Sequence, residues 1–229
     1  MKILRKAVGA AFTLLVTVSA ARAQTPAFER PLPAWQTILA VSTDAEAGRA
    51  IATSGKGAAV ACSGCHGANG VPAAGTPFPR LASLSAEYVA KQLVDYRVGA
   101  RSNPMMEPIA KALSDADIAS LARYYGSLKT PPAKAAGAAP SARALQLQGT
   151  GDNALAMPAC ANCHGHGGDG TGPLLPALAA QPADYTMAQL KAFRAGERNN
   201  DADAVMRALA SRLSDSDIRA LGDYFAGTP

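Results

Sequence analysis

Aromatic side chains are scarce in this chain of 229 residues: they make up 5% of the sequence, with a single tryptophan, Trp35. Long runs of β-branched residues are missing, and no segment alternates apolar and polar residues as a half-buried strand does. Alanine and glycine are abundant instead, so the side chains alone supply a thin core. These absences favour an all-α chain whose interior is completed by tight helix packing or by a large apolar cofactor.

Long apolar segments are also missing beyond the N-terminus. Residues 7–20 form the one extended apolar run, which follows Lys2, Arg5 and Lys6 and precedes a small-x-small triplet at residues 21–23. That order is typical of a secretory signal peptide, and the run is short for a membrane-spanning helix. We therefore predict that residues 1–23 are removed on export. The mature protein would be periplasmic, with at most peripheral membrane contact.

The formal net charge of +5 does not indicate a partner made of nucleic acid. Four of the 22 basic residues, and none of the 17 acidic ones, lie in the predicted signal peptide, which leaves +1 for the mature chain. The basic excess of the full chain therefore says nothing about nucleic acid, and no nucleic-acid partner is predicted.

Cysteine and histidine are few, with four and three residues, and nearly all of them fall in two short motifs. Residues 62–66 and 160–164 both read Cys-x-x-Cys-His, the attachment pattern of c-type haem. The sequence therefore predicts two covalent haem c groups. The residues that would hold them are Cys62, Cys65, Cys160 and Cys163 as attachment points, and His66 and His164 as iron ligands.

Other cysteine chemistries fit these motifs less well. Zinc sites built from two Cys-x-x-Cys pairs have them about 15–20 residues apart, whereas these pairs are 98 apart. A thioredoxin-like redox motif lies between a strand and a helix, and the sequence predicts no strand before either motif. A disulfide within each motif would not explain why a histidine follows the second cysteine in both motifs. The third histidine, His166, is predicted to be a surface residue.

Three segments of the chain recur in the same order. The Cys-x-x-Cys-His motif recurs after 98 residues, a Gln-Leu with a following Arg-x-Gly-x-Arg after 97, and Leu-Ser-Asp-x-Asp-Ile after 100. Two tandem copies of one domain follow from this repeat. The predicted organisation is a signal peptide (1–23), an N-terminal extension (24–43), domain 1 (44–130), a Pro/Ala-rich linker (131–143) and domain 2 (144–229).

Each copy has helical periodicity. Ser114 with Asp117, and Ser214 with Asp217, resemble capping boxes ahead of apolar residues at helical spacing. Earlier helices are predicted near 86–98 and 187–195, each stopped by a glycine, and further helices near 44–54 and 143–149 precede the cysteine motifs.

A second axial ligand for each iron must come from elsewhere in the same domain. Met106 and Met206 stand at matching positions, each seven residues before the recurring Leu-Ser-Asp motif, and a thioether is a soft ligand that raises the reduction potential. Met105 competes in the first domain, but the register of the repeat favours Met106.

These motifs resemble the dihaem cytochrome c₄ family, whose members are two class I cytochrome c domains in tandem, each wrapped around one covalent haem c. The resemblance covers residues 44–227. It implies that the carbonyls of Pro79 and Pro176 accept a hydrogen bond from the proximal histidines. It also makes four arginines candidates for contacts with haem propionates or with the other domain: Arg97, Arg101, Arg194 and Arg198.

The resemblance implies outer-sphere electron transfer rather than catalysis. Electrons would arrive from a membrane quinol-oxidising complex and leave to a haem–copper oxidase or another redox protein. An alternative is the electron-accepting subunit of a periplasmic dehydrogenase such as a flavocytochrome c sulfide dehydrogenase, with residues 24–43 as a docking element. A dihaem peroxidase or thiosulfate dehydrogenase is a remote alternative, because the chain has no spare cysteine and no well-placed extra histidine.

Overall fold

The computed structural model describes residues 32–129 and 139–228. The predicted signal peptide, residues 24–31 of the extension and residues 131–138 of the linker lie outside the described residues. Within the described ranges no helix is both long and apolar enough to cross a membrane. The only β-structure there consists of three isolated bridges, so the all-α prediction is confirmed.

Eleven α-helices make up the described part of the chain. In the first repeat they are α1 (Ala34–Leu39), α2 (Ala45–Ser54), α3 (Ser63–His66), α4 (Ala86–Val98), α5 (Met106–Lys111) and α6 (Asp115–Ser127). In the second repeat they are α7 (Ala142–Gly149), α8 (Ala161–His164), α9 (Ala183–Ala195), α10 (Val205–Ala210) and α11 (Asp215–Gly227). Two short 3₁₀ segments, Asn153–Leu155 and Ala202–Ala204, stand before α8 and α10.

The core of the first repeat forms where α2 crosses α6. Gly48 makes the crossing close: a Cβ at this position would lie 2.1 Å from the carbonyl oxygen of Ser120. Any larger residue would therefore push the two helices apart. Ile51, Ile118 and Leu121 are buried beside this contact and belong to the same apolar cluster.

Part of the predicted N-terminal extension packs as part of domain 1. Helix α1 buries Ile38 and places Trp35 and Leu39 against the core of the first repeat. Arg123 of α6 holds the following turn, since its Nη2 donates to the carbonyl oxygens of Leu39 (2.6 Å) and Val41 (3.0 Å). Trp35 therefore has a packing role in this structure.

Both predicted capping boxes are present. The Ser114 hydroxyl accepts from the Asp117 amide at 3.2 Å, and the Asp117 carboxylate accepts from the Ser114 amide at 3.0 Å; Ser214 and Asp217 repeat this at the start of α11. A basic side chain completes each cap, as Lys56 lies 2.7 Å from Asp117 and Arg143 lies 2.6 Å from Asp217. The two carboxylates therefore link the last helix of each repeat to the loop or helix before its cysteine motif.

These caps predict a specific acid sensitivity. Burial alone would raise the pKa of Asp117, but hydrogen bonds from Lys56 and Ser114 lower it below the ordinary value of 3.8. A carboxyl group with a lowered pKa contributes stability above the ordinary value and loses it as the pH falls further. We expect Asp117→Asn to reduce the free energy of unfolding by about 1–2 kcal/mol at pH 7, and by less below pH 3.8.

Urea unfolding at a series of pH values measures this difference. Asp115→Asn is the control, because Asp115 sits in the same helical turn but is largely exposed. If the difference in the free energy of unfolding between wild type and Asp117→Asn stays constant down to pH 3, the proposed role of the ionised carboxylate is contradicted.

Candidate haem sites and the boundary between the domains

Each Cys-x-x-Cys-His motif forms one turn of helix. Cys62 caps α3 and Cys160 caps α8, and the amide of each motif histidine donates to the carbonyl oxygen of the first cysteine at 2.9 Å. This turn places the two thiols and the imidazole of each motif within five consecutive residues. No disulfide joins the four cysteines, all of which lie within the described residues: Cys65 is exposed and the other three are half-buried.

The two motif histidines are oriented by backbone carbonyls. His66 Nδ1 lies 2.9 Å from the carbonyl oxygen of Pro79, and His164 Nδ1 lies 2.8 Å from that of Pro176. A carbonyl can only accept, so Nδ1 carries the proton and Nε2 keeps its lone pair. Burial lowers the pKa of both imidazoles, which keeps them neutral. A neutral, oriented imidazole with a free Nε2 is the form that binds a metal.

The two candidate methionine ligands begin short helices. Met106 is the first residue of α5 and Met206 is the second residue of α10, and both are half-buried, whereas Met105 is exposed. The Asn103 side chain caps α5 by accepting from the amides of Met105 and Met106, both at 3.0 Å.

The loop before Met206 differs from the loop before Met106. It is three residues longer, since the offset between the repeats grows from 97 to 100 here. Asp203 and Ala204 both have left-handed backbone, with φ of 52° and 57°, a strained conformation for residues other than glycine. Asp201 anchors the loop by accepting from the amide and the Nε of Arg207 at 3.0 and 2.8 Å.

These residues fit covalent haem c in both repeats. Each repeat offers two thiols on one helical turn, one neutral imidazole with a free Nε2, and one half-buried thioether. Soft sulfur and imidazole ligands suit haem iron. His166, whose side chain is exposed, is not part of this donor set.

Arg101 joins the first repeat to the second. Its guanidinium donates to Gln92 at 2.7 Å within its own repeat, and to Gln189 (2.7 Å) and Tyr185 (3.1 Å) of the second. It also stacks on the ring of Tyr96, 4.7 Å from the ring centroid.

Arg198 makes the reciprocal contacts. It donates to Gln189 at 2.8 Å within its own repeat, and to Tyr88 (3.1 Å) and Gln92 (3.2 Å) of the first, and it stacks on Phe193. Equivalent residues of the two repeats thus exchange equivalent hydrogen bonds. Burial alone would raise the pKa of Tyr185, but the two neighbouring guanidinium groups lower it.

The other two candidate arginines lie elsewhere. Arg97 pairs with Asp115 at 2.7 Å, and Arg194 pairs with Asp215 at 2.5 Å, each within its own repeat. The structure therefore separates two arginines at the domain boundary from two that bind the start of the last helix.

Sequence reasoning missed a second boundary contact. The Gln181 side chain accepts from the amide of Arg80 at 3.0 Å and donates to its carbonyl oxygen at 2.9 Å, while Arg80 Nη2 donates to the carbonyl oxygen of Ala179 at 2.9 Å. Arg80 is almost fully buried, and burial lowers its pKa to about 10. One sequence difference could have indicated this contact: Arg80 stands where the second repeat has Ala177, in Pro-x-Leu segments that otherwise match.

Comparisons with known proteins agree with this geometry. The Cytochrome c family model matches residues 45–129 and again 151–228. The chain is 41% identical to the thiosulfate dehydrogenase electron acceptor of Stutzerimonas stutzeri (82% of this chain, 89% of that protein). It is 38% identical to cytochrome c4 of Thiocapsa roseopersicina (80% of this chain, 92% of that protein).

A solved structure of thiosulfate dehydrogenase from Marichromatium purpuratum superimposes on this chain with a TM-score of 0.75 at 42% identity. The match covers 81% of this chain and only 40% of that longer one. The double match to the cytochrome c model, with a Cys-x-x-Cys-His motif in each copy, means that the protein carries two covalent haem c groups. The chain belongs to the dihaem cytochrome c4 family.

Proposed function

We propose that this protein is a periplasmic electron acceptor that takes electrons from a thiosulfate-oxidising dehydrogenase and passes them to a respiratory acceptor. The observation that carries this proposal is the 41% identity, over most of both chains, to a protein named as the electron acceptor of thiosulfate dehydrogenase. The match to part of a longer thiosulfate dehydrogenase chain supports the same donor.

The number of cofactors suits this donor. Joining two thiosulfate ions through a new sulfur–sulfur bond releases two electrons. Haem iron, when bound, stores one electron per site by changing between the ferric and ferrous states. Two sites in one chain therefore match the electrons released in one turnover of such a donor.

The chain's own residues prepare the two sites. The cysteines tether the cofactors, and the Pro79 and Pro176 carbonyls hold the imidazoles in one tautomer. We propose that the thioethers of Met106 and Met206 would supply the second protein ligand to each iron. Arg101 and Arg198 hold the two repeats in one arrangement. The two haem sites therefore keep a fixed geometry for electron transfer between them.

Localisation in the periplasm rests on the signal-peptide pattern of residues 1–23. A second candidate function is that of a general carrier between a membrane quinol-oxidising complex and a haem–copper oxidase. The 38% identity to a cytochrome c4 favours this candidate. The two functions differ only in the electron donor.

Stopped-flow reduction of the mature dihaem protein distinguishes the donors. The oxidised protein is mixed with a catalytic thiosulfate dehydrogenase domain and thiosulfate, or with a quinol-oxidising complex and quinol. We expect reduction by the dehydrogenase to be at least about ten-fold faster, as expected for a specific redox pair. Efficient reduction by the quinol-oxidising complex alone would support the carrier instead, and reduction by thiosulfate without any partner would contradict both.

A further inference from the structure

The loops before the two candidate methionine ligands are held in different ways. Asn103 and Asn200 occupy equivalent positions, each two residues after the second arginine of its Arg-x-Gly-x-Arg segment. In domain 1 the Asn103 side chain acts within its own loop, since it accepts from the amides of Met105 and Met106, both at 3.0 Å. In domain 2 the equivalent Asn200 bonds to the other domain instead.

Helix α4 of domain 1 binds Asn200 at three points. Asn200 Nδ2 donates to the Asp95 carboxylate at 2.6 Å and to Gln92 Oε1 at 3.0 Å. The carbonyl oxygen of Asn200 accepts from Lys91 Nζ at 2.8 Å, and Lys91 also forms an ion pair with Asp95. The side chains of Lys91 and Asp95 are only 18% and 14% exposed, so these bonds to charged groups are largely shielded from water.

Domain 2 has no matching pair of charges to offer domain 1. With the repeat offset of 97 residues, Lys91 and Asp95 correspond to Ala188 and Ala192 of α9. An alanine side chain neither donates nor accepts a hydrogen bond. The sequence therefore makes this part of the boundary one-sided, in contrast to the reciprocal contacts of the two boundary arginines.

Asn200 is connected to the candidate ligand of domain 2 through the rest of the loop. The next residue, Asp201, accepts from the amide and the Nε of Arg207, which directly follows Met206. Two residues in between have left-handed backbone although neither is a glycine. Strained backbone of this kind persists only where the surrounding structure holds it. Bonds at both ends of the loop supply that restraint, and domain 1 provides the bonds at Asn200.

We propose that Lys91 and Asp95 of domain 1 are positioning residues for the methionine loop of domain 2, so that docking of domain 1 stabilises Met206 as an iron ligand. This role rests on the ligation by Met206 proposed above, and it is independent of which protein donates the electrons. Met106 is held by its own domain, because Asn103 caps the helix that it begins. Methionine ligation in domain 2 thus depends on the docked boundary more than ligation in domain 1 does.

A double variant, Lys91→Ala with Asp95→Ala, tests the proposal by giving α4 the two alanines that stand in α9. Imidazole competes with methionine for ferric haem iron, so its affinity for each haem measures how firmly that methionine is held. Loss of the sulfur-to-iron charge-transfer band follows the titration of the dihaem protein, and haem-methyl NMR signals give the affinity in each domain. We expect the affinity for imidazole to rise about ten-fold in domain 2 and to stay unchanged in domain 1. Asn200→Ala, which leaves the ion pair in place, should also raise the affinity in domain 2.

Three further variants serve as controls. Glu46→Ala with Arg49→Ala removes an exposed ion pair from α2 and should change neither affinity. Asn103→Ala should raise the affinity for imidazole in domain 1 only. Met206→Ala assigns the NMR signals of domain 2 and tests ligation itself: if the charge-transfer band keeps its full intensity, Met206 is not a ligand and the positioning role falls with it.

Two other results would overturn the positioning role alone. In the first, Met206→Ala halves the charge-transfer band, but the double variant of Lys91 and Asp95 leaves the affinity for imidazole in domain 2 unchanged. Ligation by Met206 would then stand without support from domain 1. In the second, the double variant raises the affinity equally in both domains, as a general loosening of the boundary would.

Discussion

Replacing Met106 or Met206 with alanine is expected to give a protein in which one haem iron binds carbon monoxide and the other does not. Alanine cannot ligate iron, so without the proposed methionine ligand the iron would be open to an external ligand. The proposed thioether ligand would favour ferrous iron, so we expect its loss to lower the potential of that haem by on the order of 0.1 V. Each variant should change one haem and leave the other as in wild type.

Visible spectra of the reduced variants with and without carbon monoxide provide the measurement, together with the intensity of the sulfur-to-iron charge-transfer band. Met105→Ala is the control in the first domain, because its side chain is about half exposed and lies one residue outside the register of the repeat. If Met105→Ala opens the iron and Met106→Ala does not, the axial assignment in domain 1 is wrong.

Loss of Arg101 or Arg198 is expected to have the largest effect on stability. Each guanidinium is buried and donates to polar groups of both repeats, so replacement with methionine leaves partly buried tyrosine and glutamine oxygens without their donor. Removing one member of such a buried charged network costs about 3 kcal/mol. The double variant should cost less than the sum of the single ones, since both arginines bind the same two glutamines.

Denaturant unfolding of the dihaem protein, followed by circular dichroism, measures these losses. Arg97→Met and Arg194→Met serve as controls from the same Arg-x-Gly-x-Arg segments, because their ion pairs are partly exposed and should contribute less than about 1 kcal/mol. Equal losses in Arg97→Met and Arg101→Met would contradict the special role of the boundary pair.

The contrast between Arg97 and Arg101 also shows where sequence reasoning stops. The repeat makes the two arginines look alike, and four residues apart on a helix they would share one face. Gly99, however, ends α4 with left-handed backbone at φ 79°, so the chain turns and Arg101 points to the other domain. The spacing predicted the helix and its end, and only the three-dimensional structure separates the two arginines.

Local features were predictable because local chemistry determines them. The capping boxes and the helices near the predicted positions depend on residues a few positions apart. Helix α9 begins at Ala183, directly after Pro182 and four residues earlier than predicted. The Arg80–Gln181 contact joins residues 101 apart, and no periodicity indicates such a pair.

The reciprocal bonds of Arg101 and Arg198 have a consequence for how the two repeats associate. An interface in which each partner offers the same surface and receives the same contacts is isologous, the arrangement of a symmetric dimer. Two separate copies would form it only at sufficient protein concentration. Because the two repeats are joined in one chain, each experiences the other at an effective concentration on the order of millimolar, whatever the total protein concentration. The docked arrangement of the two haem-bearing domains is therefore independent of how much of the protein the cell makes.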